Sequence, residues 1–227
     1  AFLLENVSGL IHHNNGQTFE QIKKTLKEEL DYWITTKVLD SADYGVPQHR
    51  RRIYIVGFSK EIANQAKLSF KWPEKYKNKV GVGQFVESHD IGYSISKHLQ
   101  KSYIYKKDDG RPQVIDKNSD IQVKTLCSTY HKIQRLTGTF VKDGKTGLRL
   151  LSHNECKAVM GFPKDFKFPV SRTQMYRQMG NSVAIPVVQA IAKEMIVVLN
   201  KASVESNAAR SKNKKMAKQK TLQQNLL

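Results

Sequence analysis

Residues 176–192 read Tyr176-Arg-Gln-Met-Gly-Asn-Ser-Val-Ala-Ile-Pro-Val-Val-Gln-Ala-Ile-Ala192, a Gly-Asn pair followed by an apolar run. Gly180 predicts a turn with a positive backbone φ, and Asn181 or Ser182 predicts the N-cap of a helix. Pro186 fits the first turn of that helix, where a missing amide costs little. Apolar residues then repeat at helical spacing, which predicts one buried face: Ala184, Val187, Val188, Ile191, Met195, Val198 and Leu199.

The amino-terminal end of this helix predicts an anion site as well as a structural cap. Free amides and the helix dipole attract carboxylates and phosphates, so a small ligand with such a group would fit there. Most capped helices bind nothing, however, and this segment alone leaves both interpretations open.

The composition indicates a globular protein with an anionic partner. The 227 residues are 39% hydrophobic, which is enough for a core, and 38 Lys and Arg outnumber 20 Asp and Glu, giving a net charge of +18. Such an excess favours nucleic acid. The last 27 residues hold seven Lys and Arg against one Glu, and this polar segment is predicted to be a solvated, disordered tail.

The sequence predicts neither a membrane partner nor an export signal. No apolar run approaches the length of a membrane span, and no charged and apolar leader precedes the first motif. The two cysteines, Cys127 and Cys156, form neither a disulfide framework nor a metal-ligand pattern. We therefore expect a protein of the reducing cytosol that binds no metal.

The first 30 residues combine a strand pattern with a helix pattern. The opening run 1–10 predicts a buried strand that carries Glu5 towards its carboxyl end, the end that faces the ligand crevice in open α/β sheets. A carboxylate in solvent, or one that caps a helix, is the alternative. Thr18 and Gln21 predict a capping box before a helix that extends to Leu30.

Two further strands, over 32–39 and 53–58, flank a loop that delivers three arginines to a strand edge. Because side chains alternate along an extended segment, Arg50 and Arg52 are predicted to share a face while Arg51 opposes them. An ion-pairing hairpin edge explains this segment equally well.

From 61 to 145 short mixed segments predict a small, mainly β or irregular domain. Within it, 123–139 contains Thr, Ser, Tyr, His, Gln and Arg side chains, which can read base edges and hold phosphates or simply form a polar strand and loop. Beyond it, Ser152 and Glu155 predict a second capping box. Cys156 falls in the buried face of that helix and is predicted to be a core residue, not a nucleophile.

Four motifs resemble, in their order along the chain, the later motifs of the cytosine-5 DNA methyltransferases: Glu5-Asn6-Val7, Gln48-His49-Arg50-Arg51-Arg52, the segment 149–163 and Gln178-Met179-Gly180-Asn181-Ser182-Val183. A basic insert separates the second motif from the third, as a variable region does in that family. The resemblance extends from Phe2 to about Leu199 and is closest to the bacterial restriction-modification enzymes.

The resemblance implies a doubly wound α/β catalytic domain that binds S-adenosylmethionine, a small target-recognition domain, and double-stranded DNA in the cleft between them. It implies transfer of a methyl group to carbon 5 of a cytosine that is flipped out of the duplex. By this resemblance, residues 1–70 are the later part of the catalytic domain and 71–148 the recognition domain. Residues 149–200 are then a hinge helix and the closing helix, and 201–227 the tail.

The resemblance also implies roles for individual residues. Glu5 matches the glutamate that contacts ring nitrogen 3 and the exocyclic amine of the cytosine. Arg50 and Arg52 match the arginines that stabilise charge at the base carbonyl and orient the sugar-phosphate. Asn181 and Ser182 match the segment that lines the cofactor pocket. Residues of the predicted recognition domain are expected to contact DNA: Thr125, Leu126, Arg135 and Gly138.

The first half of the family pattern is absent from these 227 residues. They contain no Phe-x-Gly-x-Gly cofactor loop and no Pro-Cys-Gln nucleophile motif, since neither cysteine follows a proline. We therefore expect the chain to be inactive alone and to act in the bacterial cytoplasm with an amino-terminal half, in the same polypeptide or as a separate subunit. Gln48 is expected to support the arginine loop.

Two other functions compete with the methyltransferase interpretation. The first is a non-catalytic, sequence-specific DNA-binding module built on a methyltransferase scaffold. The second is an RNA-binding protein, which is disfavoured because the sequence has no aromatic stacking motif.

Overall fold

The computed structural model describes residues 1–88 and 93–224. The strands of this part of the chain are β1 (Phe2–Val7), β2 (Tyr32–Asp40), β3 (Arg51–Ser59), β4 (Gln113–Ile115) and β5 (Thr139–Val141). Its α-helices are α1 (Gln17–Lys24), α2 (Lys60–Gln65), α3 (Lys97–Leu99), α4 (His153–Met160), α5 (Arg172–Asn181) and α6 (Ile185–Gln224). Two compact units result: unit 1 comprises Ala1–Val38, Ile53–Pro73 and Ala190–Leu227, and unit 2 comprises Leu39–Arg52 and Glu74–Gln189.

Unit 1 contains most of a three-stranded sheet with the strand order β1-β3-β2. Aromatic and β-branched residues favour these strands, and the apolar face of α1 packs with them around Phe19, Ile34 and Ile55. The three strands predicted from the sequence are confirmed. The burial predicted for the first of them is wrong, because every residue of β1 is at least partly exposed. β1 stands at the end of the strand order and exposes Leu4 and Val7.

The start of α1 differs from the predicted capping box. The helix begins at Gln17 after Gly16, whose φ of 85° lies in the left-handed region that favours glycine. Thr18 therefore lies inside the first turn and does not cap it. The regular helix ends at Lys24, and a π-helical turn, Thr25–Glu29, completes the predicted length. The predicted box is wrong because a glycine N-cap, two residues earlier, begins the helix without a side-chain acceptor.

Unit 2 combines the short parallel pair β4 and β5 with α3, α4, α5 and long irregular segments. Its core draws on loops as well as regular elements, and includes Val123, Leu126, Phe140, Val159 and Met179. The predicted capping box at α4 is confirmed, because Ser152 and Glu155 exchange hydrogen bonds there. The recognition-domain range 71–148 stays a prediction, since unit 2 also includes 39–52 and 149–189.

α6 continues to Gln224, although the sequence predicts a disordered tail from residue 201. Between Val187 and Gln224 the sequence has no Gly or Pro and is rich in Ala, Lys and Gln, which favour helix. The helix therefore meets no signal to end. The disordered-tail prediction is wrong for residues 201–224, and 225–227 lie outside the described residues.

Among the described residues, the stretch Arg172–Ala209, which covers α5 and the first part of α6, contains an 18-residue window with a mean hydropathy of 1.8. By length and composition alone this stretch could cross a membrane, contrary to the prediction from the sequence. Its apolar residues include a set at helical spacing that is buried: Val187, Ile191, Met195, Val198 and Ala202. A long helix with one buried face is typical of a globular core.

Candidate functional site

The arginine motif lies beside the predicted base-reading segment, 123–139, in unit 2. Val123 N donates to Pro47 O at 2.8 Å, and His49 N donates to Val123 O at 2.9 Å, as in a short parallel pairing. The hydroxyl of Thr125 donates to His49 O at 2.7 Å. These bonds hold the loop that carries the arginines against the start of the predicted reading segment.

Gln48 is fully buried and joins this loop to two other segments. Its Nε2 donates to Val159 O at 2.7 Å and contacts Met160 Sδ at 3.1 Å, while its Oε1 accepts from Leu126 N at 2.8 Å. An amide side chain is suited to this position because it supplies both a donor and an acceptor. The prediction that Gln48 supports the arginine loop is confirmed.

Arg50 is buried, with 4% of its surface exposed, and its guanidinium contacts backbone carbonyls. Nη1 donates to Leu126 O at 3.3 Å, and Nη2 donates to Gly180 O at 3.1 Å and to Ser182 O at 2.5 Å. The predicted catalytic contact of Arg50 with the base is therefore corrected. These bonds commit the guanidinium to its own chain, in a positioning role.

The segment around Gly180 is the carboxyl-terminal end of α5, where the sequence predicts a turn and the amino-terminal cap of the next helix. Gly180 and Asn181 are the last residues of α5, Ser182 is its C-cap, and α6 begins only at Ile185. The carbonyl end of a helix attracts cations, which explains why the Arg50 guanidinium binds here. The anion site predicted at an Asn181 or Ser182 N-cap is therefore wrong.

Gly180 is required by close packing and not by a turn. A Cβ at this position would lie 2.1 Å from Ser128 N and 2.3 Å from the carbonyl carbon of Cys127, both backbone atoms. Backbone atoms at such distances can move apart only if the chain shifts. The last turn of α5 therefore packs directly on the backbone of the predicted reading segment.

We expect Gly180→Ala to lower the free energy of unfolding by about 1–3 kcal/mol, because overpacking displaces two backbone segments. Urea unfolding followed by circular dichroism measures the change. Gly9→Ala is the matched control, since a Cβ there meets nothing within 4 Å. Equal stability of the two variants would contradict this role for Gly180.

Glu5 and Arg52, the other predicted catalytic residues, are both half-buried. Glu5 lies within β1, two residues before its end, and belongs to unit 1. Arg52 is the second residue of β3, where its Nη1 donates to Arg51 O at 2.8 Å. Exposure alternates from buried Arg50 through exposed Arg51 to half-buried Arg52, as an extended segment predicts.

Of the predicted cofactor and DNA residues, Asn181, Ser182 and Thr125 keep surface exposure. Asn181 is exposed, and Ser182 and Thr125 are half-buried. Leu126, in contrast, is 3% exposed and packs in the core of unit 2. Its side chain stabilises the fold, and the prediction that it contacts DNA is corrected.

Arg135 and Gly138 are also structural. All three guanidinium nitrogens of buried Arg135 donate to the chain, to the Asp109 carboxylate and to carbonyls of residues between 104 and 111. Gly138 is buried, and a Cβ there would lie 2.5 Å from Gln134 O. The predicted DNA contacts of both residues are corrected: a guanidinium that bonds to its own chain through all three nitrogens and a buried glycine hold the loop together.

The Asp109 carboxylate gives this loop a dependence on pH. The hydrogen bond from Arg135 holds the pKa of Asp109 below its usual range. A carboxyl whose folded pKa is depressed stabilises the fold above its unfolded pKa, about 4, and loses this contribution as the pH falls through the folded value. Asp109→Asn should therefore melt below the wild type at pH 7, and the difference should shrink as the pH falls below about 4.

Thermal melts at several pH values measure this effect. Asp108→Asn is the control, because Asp108 is exposed like Asp109, whereas the carboxylate that accepts from Arg135 is that of Asp109. The Asp109 assignment fails if the two variants melt alike at neutral pH, or if the Asp109→Asn difference persists in acid.

An ion pair that the sequence analysis missed lies at the base of α4. Arg149 is 0% exposed, and all five of its guanidinium N–H groups are used, two of them by the Glu155 carboxylate at 2.8 Å each. Nearby, burial raises the pKa of the Cys156 thiol well above its usual range. The core role predicted for Cys156 is confirmed, and Arg149 with Glu155 fixes the start of the helix that contains it.

Comparison with known proteins identifies the family. Residues 1–197 match the family described as C-5 cytosine-specific DNA methylase. The chain is 55% identical over 206 residues to the type II methyltransferase M.MspI of Moraxella sp, covering 91% of this chain and 48% of the relative. It is 54% identical over 195 residues to the type II methyltransferase M.BsuFI of Bacillus subtilis, covering 86% and 47%. The chain thus spans about half the length of these relatives.

Solved structures agree on the fold. A DNMT2 mutant of Spodoptera frugiperda superposes with a TM-score of 0.66 at 20% identity, covering 86% of this chain and 66% of that one. A putative DNA modification methyltransferase encoded within an Escherichia coli prophage gives a TM-score of 0.61 at 18% identity, covering 88% and 69%. The fold is that of the α/β methyltransferases. With the family match over residues 1–197, the chain belongs to the C-5 cytosine-specific DNA methylases of the bacterial type II restriction-modification group.

Proposed function

We propose that this chain is the carboxyl-terminal part of a DNA cytosine-5 methyltransferase of the bacterial cytoplasm. The assembled enzyme transfers a methyl group from S-adenosylmethionine to carbon 5 of a cytosine flipped out of a specific DNA site. The observation that carries the proposal is the family match over residues 1–197, which includes every motif discussed above. The net charge of +18 supports DNA as the substrate.

Two residues keep the catalytic roles in this proposal. Glu5 holds the Watson-Crick edge of the flipped cytosine, where its carboxyl group contacts ring nitrogen 3 and the exocyclic amine. Protonation of the ring at that edge makes it electron-poor and open to attack by a thiolate. Arg52 stabilises negative charge at the base carbonyl, as a fixed cation does in a site that excludes water.

Asn181 and Ser182 suit the methionine end of S-adenosylmethionine. Their amide and hydroxyl groups are hydrogen-bond donors for a carboxylate, and both residues keep surface exposure at the end of α5. These side chains would hold and orient the cofactor, which supplies the transferred methyl group when bound. The support is the donor chemistry of these side chains and not a helix dipole, since their helix ends here.

The DNA side of the proposal rests on the segment that begins at Thr125. Thr125 keeps surface exposure and is anchored to the arginine loop through His49 O. A hydroxyl in such a position can donate to a phosphate or a base edge. We place the target-recognition domain in the range 71–148, around this segment.

The nucleophile comes from outside these 227 residues. The sequence contains no Pro-Cys-Gln motif, and burial keeps the Cys156 thiol protonated. We propose that an amino-terminal half, covalently joined or separate, provides the reactive cysteine and most of the cofactor pocket. The share of the relatives that the chain covers, about half, supports this division.

The test is reconstitution of the enzyme from its halves. The chain is co-expressed with the amino-terminal half of M.MspI, and transfer of a labelled methyl group to DNA is measured. Transfer by the complex, but by neither half alone, is the expected result. A stable complex that binds DNA without transferring methyl groups would instead favour the non-catalytic DNA-binding module.

A further inference from the structure

Arg50 connects the DNA side of the proposed site to its cofactor side. Its guanidinium bonds to Leu126 O in the segment that begins with Thr125, and to Gly180 O and Ser182 O at the end of α5. The residues that accept these bonds are 76, 130 and 132 positions away in the sequence. One buried cation therefore bridges two segments that lie far apart in the sequence.

The contacts around Arg50 leave little freedom between these segments. Leu126 is held from both sides, since its N–H donates to Gln48 Oε1 while its carbonyl accepts from Arg50. The missing side chain of Gly180 brings the end of α5 directly onto the backbone of Cys127 and Ser128. Close-packed backbones transmit a displacement because they cannot absorb it in side-chain rotamers.

We propose that Arg50 is a positioning residue that couples DNA binding to cofactor binding. This inference rests on the proposed function, in which Thr125 faces DNA and Asn181 and Ser182 face the cofactor. A ligand that orders either segment selects the arrangement in which all three carbonyls meet the guanidinium. The other ligand then binds to a segment that is already ordered. Each of the two ligands, DNA and the cofactor, therefore raises the affinity of the protein for the other.

DNA and the cofactor are expected to raise each other's affinity by the same factor. Two ligands linked in this way usually change each other's affinity by about 5- to 150-fold. A guanidinium suits this role because its planar group of N–H donors can bond to several acceptors at once, whereas the charge of a lysine ammonium is concentrated at one point. Arg50→Lys therefore keeps the charge and removes the bridge.

The test uses the assembled enzyme and S-adenosylhomocysteine, which binds without reacting. The dissociation constant of target DNA is measured with and without this compound for the wild type, for Arg50→Lys and for Arg51→Met, a control in which an exposed neighbouring arginine is removed. The coupling ratio is the dissociation constant without the compound divided by that with it. We expect this ratio to be at least about 5 for the wild type and the control. For Arg50→Lys the ratio should fall to about 1, while DNA is still bound.

Hydrogen exchange on the 227-residue chain provides a second readout. In Arg50→Lys, protection should fall at the Leu126 and Ser182 amides together and persist in unit 1, and the control should match the wild type. A wild-type coupling ratio in Arg50→Lys, or loss of protection across the whole chain, would overturn the assignment and leave the proposed function standing. A wild-type assembly that binds no DNA would refute the proposed function itself.

Discussion

Replacing Glu155 by glutamine should lower the free energy of unfolding by about 3–5 kcal/mol, because it breaks a buried ion pair by removing one partner. Arg149 then keeps the partly exposed Asp143 but loses its buried counter-charge. The Glu155 carboxylate accepts four hydrogen bonds: two from Arg149, one from Ser152 N at 2.6 Å and one from Glu87 N at 2.8 Å. A carboxylate can accept all four, whereas an amide must point two N–H groups at donors. The variant therefore loses the ion pair and two of these four acceptor positions.

Chemical denaturation of the chain measures the loss, with Glu74→Gln as the control. Glu74 is exposed and belongs to the same unit, so its replacement should change the free energy of unfolding by less than about 0.5 kcal/mol. A Glu155→Gln variant as stable as this control would show that Arg149 finds compensation elsewhere.

Glu5→Gln should reduce methyl transfer by the assembled enzyme by about 10²- to 10⁴-fold, the usual contribution of a group that moves a proton in the transition state. Glutamine keeps the length and the hydrogen-bonding geometry of glutamate, but it cannot give a proton to ring nitrogen 3. DNA binding should consequently be retained while the chemical step is lost.

Single-turnover methylation and DNA binding, measured on the same preparation, separate these two effects. Glu28→Gln, an exposed carboxylate in unit 1, is the control and should leave both unchanged. Retention of full methylation by Glu5→Gln would remove Glu5 from the catalytic role. Loss of DNA binding together with methylation would assign it a structural one.

Local patterns in the sequence predicted much of the fold. The strands at the start of the chain and the α4 capping box depend on residues close together in sequence, and the structure has them at the predicted places. The core position of Cys156 follows from helical spacing for the same reason. Each of these features is decided by neighbours within one or two turns or one strand.

The contacts of the arginine side chains could not be predicted in the same way. Arg50 and Arg135 carry charge in segments that face DNA by resemblance, yet both are buried and bonded to the chain. A buried guanidinium donates to backbone carbonyls of segments that are distant in the sequence. Every residue has such a carbonyl, so the amino-acid sequence does not indicate which one will accept. Arg149 with Glu155 was the accessible case, because a cation six residues before a capping-box glutamate offered an ion pair to look for.

Gly180 shows a related limit. A glycine before an asparagine suggests a turn with a positive φ, and the same glycine serves equally well where two backbones touch. Only the second use occurs here, because a distant segment, Cys127 and Ser128, occupies the space of a Cβ. The sequence showed that a glycine stands at position 180, but the reason why glycine is needed there depends on a tertiary contact.

The position of β1 at the edge of its sheet has a consequence for the protein in solution. An edge strand presents a row of backbone groups that can pair with another chain, and β1 adds the exposed side chains of Leu4 and Val7. The same strand carries Glu5, so the carboxylate proposed to hold the cytosine lies on a strand whose outer edge is unpaired in the described part of the chain. A strand contributed by another polypeptide would therefore improve solubility and fix the backbone that aims this carboxylate.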